Sequence, residues 1–428
     1  MHSFSMAHLF SPGTPGYRWN VGSLLIVLAW VVTIVLMLTG RNDLDIYLHA
    51  AHDLLHGQDP YTQRYFEHYN FFYSPVFALL VAPLGVIGGV GAKAVWGLAM
   101  LLAALRCLQL LLRWAGIHRL PPAQQAAITF LTGLFLFQAV RDNINLSQVT
   151  VLLLWACVEG LHRIDQGRVW VGALLIALAL DTKLIPLVLL PYLAYRGQWR
   201  ALVVVVTGVV VLQLVPLLVF GVDEGLALFR SRWALLDPAT PRHILDEEEP
   251  SMISWGSLLS AYLSTEGGNV NTLDAPRNLA RLSLQQITAL VWTGRLLLAL
   301  ITLYFLRWPP FRAAATPMHR FRELGYLFTC TILLFPHQRP YSLFLAAPAV
   351  VWLCRYAVVM TKGKGARSYA VLAGAVFIYL GMNANLIAGE WAHYYDHYKL
   401  LSFVVLLLLV LLARITPERM AHVDQRPD

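Results

Sequence analysis

The sequence predicts an all-α protein that threads a membrane many times, and three observations carry that reading. Of 428 residues, 58% are hydrophobic and only 13% charged, where a soluble domain has about 25% charged residues. Runs such as VGSLLIVLAWVVTIVLMLTG (21–40) and ALVVVVTGVVVLQLVPLLVF (201–220) are long enough to cross a hydrocarbon layer as helices. Basic residues gather in short loops between such runs, the bias that orients membrane helices. The net charge of +8 therefore reads as topology, and no nucleic-acid partner is expected.

The first run is long for a signal-peptide core and has no small-residue cleavage site, so it is expected to stay as an anchor. Loops at 113–119, 162–168, 195–200, 307–322 and 355–367, with the tail from Arg414, are rich in Lys and Arg. They are assigned to the cytoplasm. The outer segments are then 41–92, 141–147, 221–284, 336–340 and 389–399. Parity allows one crossing between Tyr73 and Arg113, yet two apolar runs lie there. The first, PVFALLVAPLGVIGG, is short and broken by Pro83 and Gly85, so 75–89 is expected to be interfacial or re-entrant and 93–113 to cross. The count comes to about twelve spans with both termini cytoplasmic. The whole chain, 1–428, reads as one transmembrane domain with two sizeable outer loops, 41–92 and 221–284. No internal repeat of the inverted-transporter kind is present. Cys107, Cys157, Cys330 and Cys354 sit in apolar runs without CxxC spacing and read as buried small hydrophobes.

Charge at membrane depth is costly unless it faces a cavity or a partner. Three outer helix ends carry it: Arg141 in RDNINLSQ, Asp181 and Lys183 in LALDTKLIP, and His337 and Arg339 in LLFPHQRPYSLF. Gln148 comes one turn inside its run. Each cation alone can snorkel or pair locally, Lys183 with Asp181 for instance. Three cations converging with amides suit an anionic group such as phosphate, and a phosphate at a bilayer surface belongs most naturally to a lipid.

The stretch 43–56 is acidic and histidine-rich. In a helix over about 44–56, Asp45, His49, His52 and His56 share one face. Metal ligation there is conceivable. A polar face opposite Leu44, Leu48, Ala51 and Leu55 is the preferred reading, and no role is assigned to the three histidines. Asp43 differs, because it precedes the helix at its N-terminus, where the dipole keeps a carboxylate ionised. A carboxylate facing a phosphate-binding cavity is the minimum for base-catalysed transfer to a hydroxyl.

These residues resemble glycosyltransferase family 87, polyprenyl-phosphate-mannose-dependent mannosyltransferases of the GT-C fold. Asp43, Leu44, Asp45, Ile46 and Tyr47 match the family's first motif, Gly57, Pro60 and Tyr61 its turn, and Tyr73, Ser74 and Pro75 its aromatic-proline piece with Ser74 for Pro. NLSQVTVLLL resembles the family's Gln element, keeping Gln148 but with Ser147 for Gly and Thr150 for Asn. DTKLIPLVLLPYL resembles its Lys-x-x-Pro element, through Lys183 and Pro186. FPHQRPYSLFLAAP aligns with a Ser-Pro segment, but Tyr341 and Ser342 stand where the family often has paired His.

The resemblance implies the GT-C fold, with a horizontal helix pair between the first two spans, and Asp43 as catalytic base. It implies an inverting glycosyltransferase in a bacterial cytoplasmic (inner) membrane, with its active site on the periplasmic or extracellular side. The donor is expected to be a polyprenyl-phosphate hexose, mannose by the resemblance, and the acceptor a hydroxyl of a glycan or glycolipid. Donor-phosphate and substrate binding are expected from Arg141, Gln148, Lys183, His337 and Arg339, with Arg230 and Arg232 from the large outer loop. Tyr47 and Tyr73 would stack on sugar rings or join an interfacial aromatic belt. No cofactor and no divalent metal is expected, because phosphate is already a good leaving group. The alternatives are a transporter or flippase of lipid-linked sugar, a non-catalytic scaffold, and a metal-dependent transferase.

Overall fold

In the computed structural model the chain is described at residues 20–264, 273, 275–306, 310–314, 316–360, 366–418 and 420. The amino-terminal stretch, parts of the basic loops 307–322 and 355–367, part of the loop 221–284 and the end of the tail lie outside the described residues. Among the described residues there is no strand beyond two isolated bridges, as the apolar runs and the absence of strand patterning predict. The fold is all-α.

Helix α1 (Val21–Met37) enters after Asn20, whose side chain accepts from the Ser23 amide. α2 (Asp43–Leu55) begins within six residues of its end. Its start is fixed locally: Asn42 accepts from the Leu44 amide while Asp45 accepts from the Asn42 amide, a capping box. Asp43 is thus the first residue of the helix rather than the one before it. The buried face of α2 is Leu44, Ile46, Tyr47, Ala50, Ala51 and Leu54. Leu55, expected on that face, is exposed, because the helix presents Leu54, three residues after Ala51, to the core. α3 (Pro75–Ile87) begins on a Ser74 cap with proline at its first position. Gly88, at φ +89°, divides it from α4 (Gly89–Trp114). The 26-residue α4 is long and apolar enough to cross a membrane, whereas the 13-residue α3 is not, in line with the parity of the loops.

α5 (Pro122–Phe135) and α6 (Phe137–Asn145) meet at a 47° bend. α7 (Thr150–Asp165) and α8 (Val169–Thr182) pack closely as a hairpin. A Cβ on Gly160 would lie 2.7 Å from the Gly172 carbonyl oxygen, so only glycine permits this approach. A 3-10 turn (Ile185–Val188) leads into α9 (Leu189–Tyr195) and then α10 (Trp199–Phe220), one of the spanning helices. The large outer segment holds α11 (Val222–Leu236), α12 (Pro241–Leu245) and α13 (Trp255–Leu263). α14 (Leu284–Leu306), α15 (Pro317–Leu334), a 3-10 turn (Pro340–Ala346) with α16 (Ala347–Met360), and α17 (Ala366–Met382) continue the bundle. The short α18 (Ala384–Ile387) and α19 (Ala392–His397) precede α20 (Leu400–Arg414). Among the described residues four helices are long and apolar enough to cross a membrane, six if each bent pair counts as one, with five shorter apolar helices beside them. That is a multi-pass membrane protein. The expected count of twelve reaches beyond what length and composition establish.

Two arrangements of buried charge were not expected. Asp181, at the end of α8, does not pair with Lys183; it faces Arg232 of α11, with Nη1 at 3.9 Å from Oδ1. Arg232 also donates to the Asp181 carbonyl at 2.7 Å, and Gln213 donates to the carboxylate. Charge is also not confined to one face. Further along α7, about 14 Å from its start, Arg106 and Arg163 clamp Glu159, and Arg196 donates to Glu323 elsewhere in the bundle. An ion pair buried between helices is invisible to a reading of loops, because its partners lie 51 to 127 positions apart. All four cysteines are buried and free.

Removing one partner of a buried pair strands the other charge, at a cost of about 3–5 kcal/mol. Arg232→Leu is expected to destabilise the fold by that amount, and adding Asp181→Leu to recover most of it. Thermal unfolding in detergent micelles measures both.

Candidate active site

A cavity of about 840 Å³ opens at the end of the bundle where α2, the start of α7 and the outer segments meet. The backbone of the first outer helix is tied to this end directly, since the Asp43 amide donates to the Leu146 carbonyl at 3.1 Å. Ser147 adopts a left-handed φ of +53°. That turn, whose carbonyl accepts from Trp96 at 3.2 Å, brings Gln148 round to face α2.

Asp43 lies in the cavity wall and accepts a hydrogen bond from Gln148 Nε2. Burial raises its pKa from the usual carboxylate range to about 6; Arg339, Gln148 and Lys183 pull it down, and Glu249 pushes it up. Tyr47 and Tyr73 are buried beside it with their hydroxyls 3.0 Å apart. Lys183, beyond the end of α8, has Nζ 5.8 Å from the ring centres of both Tyr73 and Tyr341. It makes no ion pair with a carboxylate among the described residues.

The opposite wall is built by the segment 336–339 and the outer segment 242–249. Arg339 Nη2 meets Glu249 Oε2 at 2.7 Å. His337, at φ +58°, donates its amide to Asp246 at 2.9 Å, which holds that strained turn. His243 donates from Nε2 to the Leu235 carbonyl at 2.9 Å, so its Nδ1 accepts from His337 Nε2 at 2.8 Å. His337 Nδ1 then faces Asp246 at 3.5 Å and Glu248 at 3.4 Å. Burial holds the His337 imidazole below its ordinary range, with Asp246 acting against it. Glu248 also pairs with Arg242, whose guanidinium lies 5.4 Å from the Phe72 ring centre.

The expected site residues divide. Asp43, Tyr47, Tyr73, Gln148, Lys183, Arg232, His337 and Arg339 all line the cavity. Arg230 points outward and is exposed, because it lies two helix positions from buried Arg232 on α11. Arg141 is not in the wall; its guanidinium stands 3.7 Å from Asp142. Asp45 serves the capping box and pairs with Lys93 at 3.0 Å. His49 and His56 bond backbone carbonyls of their own helix and lie outside the wall. Among the described residues, no group of three or more His, Cys, Asp or Glu is arranged to hold a metal.

Sequence reading missed Arg64, Arg242, His243, Glu248 and Glu249. The run DEEE at 246–249 was the available signal, a block of carboxylates in an outer segment of a chain poor in charge.

Gln148→Leu removes the one side-chain donor to Asp43 among the described residues without removing the carboxylate. The Asp43 pKa is expected to rise further, by about one unit, which an infrared titration of the carboxyl band against Asp43→Asn as blank detects.

The sequence model of glycosyltransferase family 87 matches residues 71–336. No curated protein matches the chain. Two solved structures are similar at a distance. One is the crystal structure of ArnT from Cupriavidus metallidurans bound to undecaprenyl phosphate: 17% identical, covering 91% of this chain and 76% of that one, TM-score 0.36. The other is the same protein in the apo state, 16% identical with equal coverage and TM-score 0.32. At those scores neither carries an argument about this chain. The family match does, since it spans more than half the sequence and includes Gln148, Lys183, Arg232 and Glu249; Asp43 precedes it and Arg339 lies beyond it. The chain belongs to glycosyltransferase family 87.

Proposed function

We propose that this membrane glycosyltransferase moves a hexose, with mannose as the first candidate, from a polyprenyl-phosphate donor to an acceptor hydroxyl. The reaction is placed at the outer face of a bacterial cytoplasmic membrane. The observation that carries the reading is Asp43: a partly buried carboxylate in the wall of a cavity that also presents Lys183 and Arg339.

In this reading Asp43 takes the proton of the acceptor hydroxyl as that oxygen attacks the anomeric carbon. The bond from that carbon to the phosphate oxygen breaks, and the lipid phosphate leaves with the electron pair. Direct displacement inverts the anomeric centre. Lys183, with no carboxylate ion-paired to it among the described residues, meets the charge that develops on the leaving phosphate, and Arg339 adds a planar donor pair. Buried Tyr47 and Tyr73 hold Asp43 and Lys183 apart from bulk water. A pKa near 6 suits the role, since the base is ionised at neutral pH yet more basic than a solvated aspartate.

The cavity has two chemically different sides. Leu184, Ile185 and Leu187 come directly after Lys183, opposite Trp233 and Leu236 of α11, and Leu187 and Trp233 are exposed on the outside of the bundle. This apolar side suits an isoprenoid chain. Arg64, His68, Tyr69, Asn70, Arg242 and Glu248 form the polar side, which suits a hydroxylated acceptor. In this scheme the departing phosphate needs protein cations only, so transfer is expected to persist in chelator.

The test uses the purified chain in lipid with labelled polyprenyl-phosphate mannose and an envelope-lipid acceptor fraction. Asp43→Asn is expected to lower transfer by about 10²–10⁴-fold, the usual range for losing a general base. The folded pKa of Asp43 lies above its unfolded value of about 3.9, so the ionised form costs stability above pH 6 and the substitution should not lower the melting temperature. Wild-type transfer should fall about tenfold per pH unit below about pH 6. Donor binding without transfer by the wild type would move the assignment to a transporter.

A further inference from the structure

The cations of the cavity are not equally available. Lys183 lies between the rings of Tyr73 and Tyr341 and forms no ion pair among the described residues, whereas Arg339 is held by Glu249 and Arg242 by Glu248. The segment that supplies these carboxylates is pinned on both sides of them. Ahead of Glu248, buried Asp246 accepts from Ser254 Oγ and from the His337 amide. Behind Glu249, Lys399 Nζ donates to the carbonyls of Pro250 at 2.7 Å and Met252 at 3.2 Å, and the Ile253 amide donates to the Gln338 carbonyl at 2.9 Å. The backbone that carries Glu249 is therefore held beside Arg339. Gln148, 4% exposed and lining the same cavity, has its Oε1 buried without a partner among the described residues, as has Arg339 at Nε. These are polar atoms placed for a group that the folded chain alone does not supply.

We propose that Glu249 is a specificity-determining residue: its carboxylate is the resident counter-ion of Arg339 and holds the position that a phosphate oxygen of the lipid donor takes over. The inference rests on the phosphate reading of the cavity given above. Any ligand that uses Arg339 must first outcompete a carboxylate already there. A neutral lipid or a bare sugar cannot do so, and a phosphate can, through a two-oxygen contact with the guanidinium. The same competition acts on the way out. The donor is a phosphodiester with one negative charge, while the released monoester carries close to two at neutral pH. The product would thus bind the cations more tightly than the donor, and Glu249 returning to Arg339 weakens its hold. The exchange also reaches the base, because Arg339 lowers the Asp43 pKa and Glu249 raises it.

The experiment measures binding of a long-chain polyprenyl monophosphate and of the uncharged polyprenol to the full chain in lipid nanodiscs. Wild type is run beside Glu249→Gln, Glu249→Asp and Arg339→Gln. A partly exposed ion pair contributes up to about 1 kcal/mol, so Glu249→Gln should bind the monophosphate up to about five-fold more tightly, with polyprenol binding unchanged. Glu249→Asp should stay near wild type, Arg339→Gln should lose affinity, and product inhibition of transfer by Glu249→Gln should strengthen by the same factor. Equal or weaker monophosphate binding by Glu249→Gln, at an unchanged melting temperature, overturns the proposal and makes Glu249 a structural or sugar-binding residue. Failure of the wild type to prefer monophosphate over polyprenol overturns the phosphate reading itself.

Discussion

Asp43 is partly buried where the start of α2 meets the turn 146–148, and the groups around it organise this end of the molecule. Gln148 reaches it only because Ser147 turns left-handed. Lys183 reaches the same space because α8 ends at Thr182, and Arg339 because the chain breaks between α15 and the next 3-10 turn. A carboxylate in an apolar wall is tolerated only with donors and cations around it. The same requirement explains why interruptions in three separate helical runs converge on one cavity.

The rule extends to charges outside that cavity. Asp181 faces Arg232, Glu159 is clamped by Arg106 and Arg163, and Glu323 takes Arg196. Each cluster joins helices distant in sequence. The Asp181–Arg232 pair fastens α11 to the end of α8. Trp233 and Leu236 of the same helix line the cavity with Leu184 and Leu187, so a structural ion pair helps to shape its apolar side. The acidic segment 246–249 is the complementary device: it neutralises cations that would otherwise face one another across an open space.

Family membership and geometry do separate work here. The family match establishes a glycosyltransferase, yet it begins after Asp43 and ends before Arg339. The proposed base and leaving-group cations therefore rest on the cavity, where Asp43, Lys183 and Arg339 are close enough for both cations to act on the pKa of the carboxylate. Charge is concentrated there: five cations and three carboxylates line the cavity beside neutral tyrosines and amides.

The sequence by itself determined the features that local chemistry controls. Apolar runs fix helices and membrane, because every backbone polar group in lipid must be bonded within a helix. Asn42 and Asp45 fix where α2 begins, Ser74 and Pro75 where α3 begins, and Gly88 where it ends. Polar residues at helix breaks marked Asp43, Gln148, Lys183, His337 and Arg339 as members of one site. Which cations stay free was decided only by the tertiary structure, because pairing depends on neighbours far along the chain. Arg141 turned to Asp142 and Arg230 to the outside, Asp181 took Arg232 in place of Lys183, and Glu249 came to rest on Arg339. A loop of carboxylates has no preferred partner until the fold sets its distance from each cation, and electrostatic energy falls with that distance.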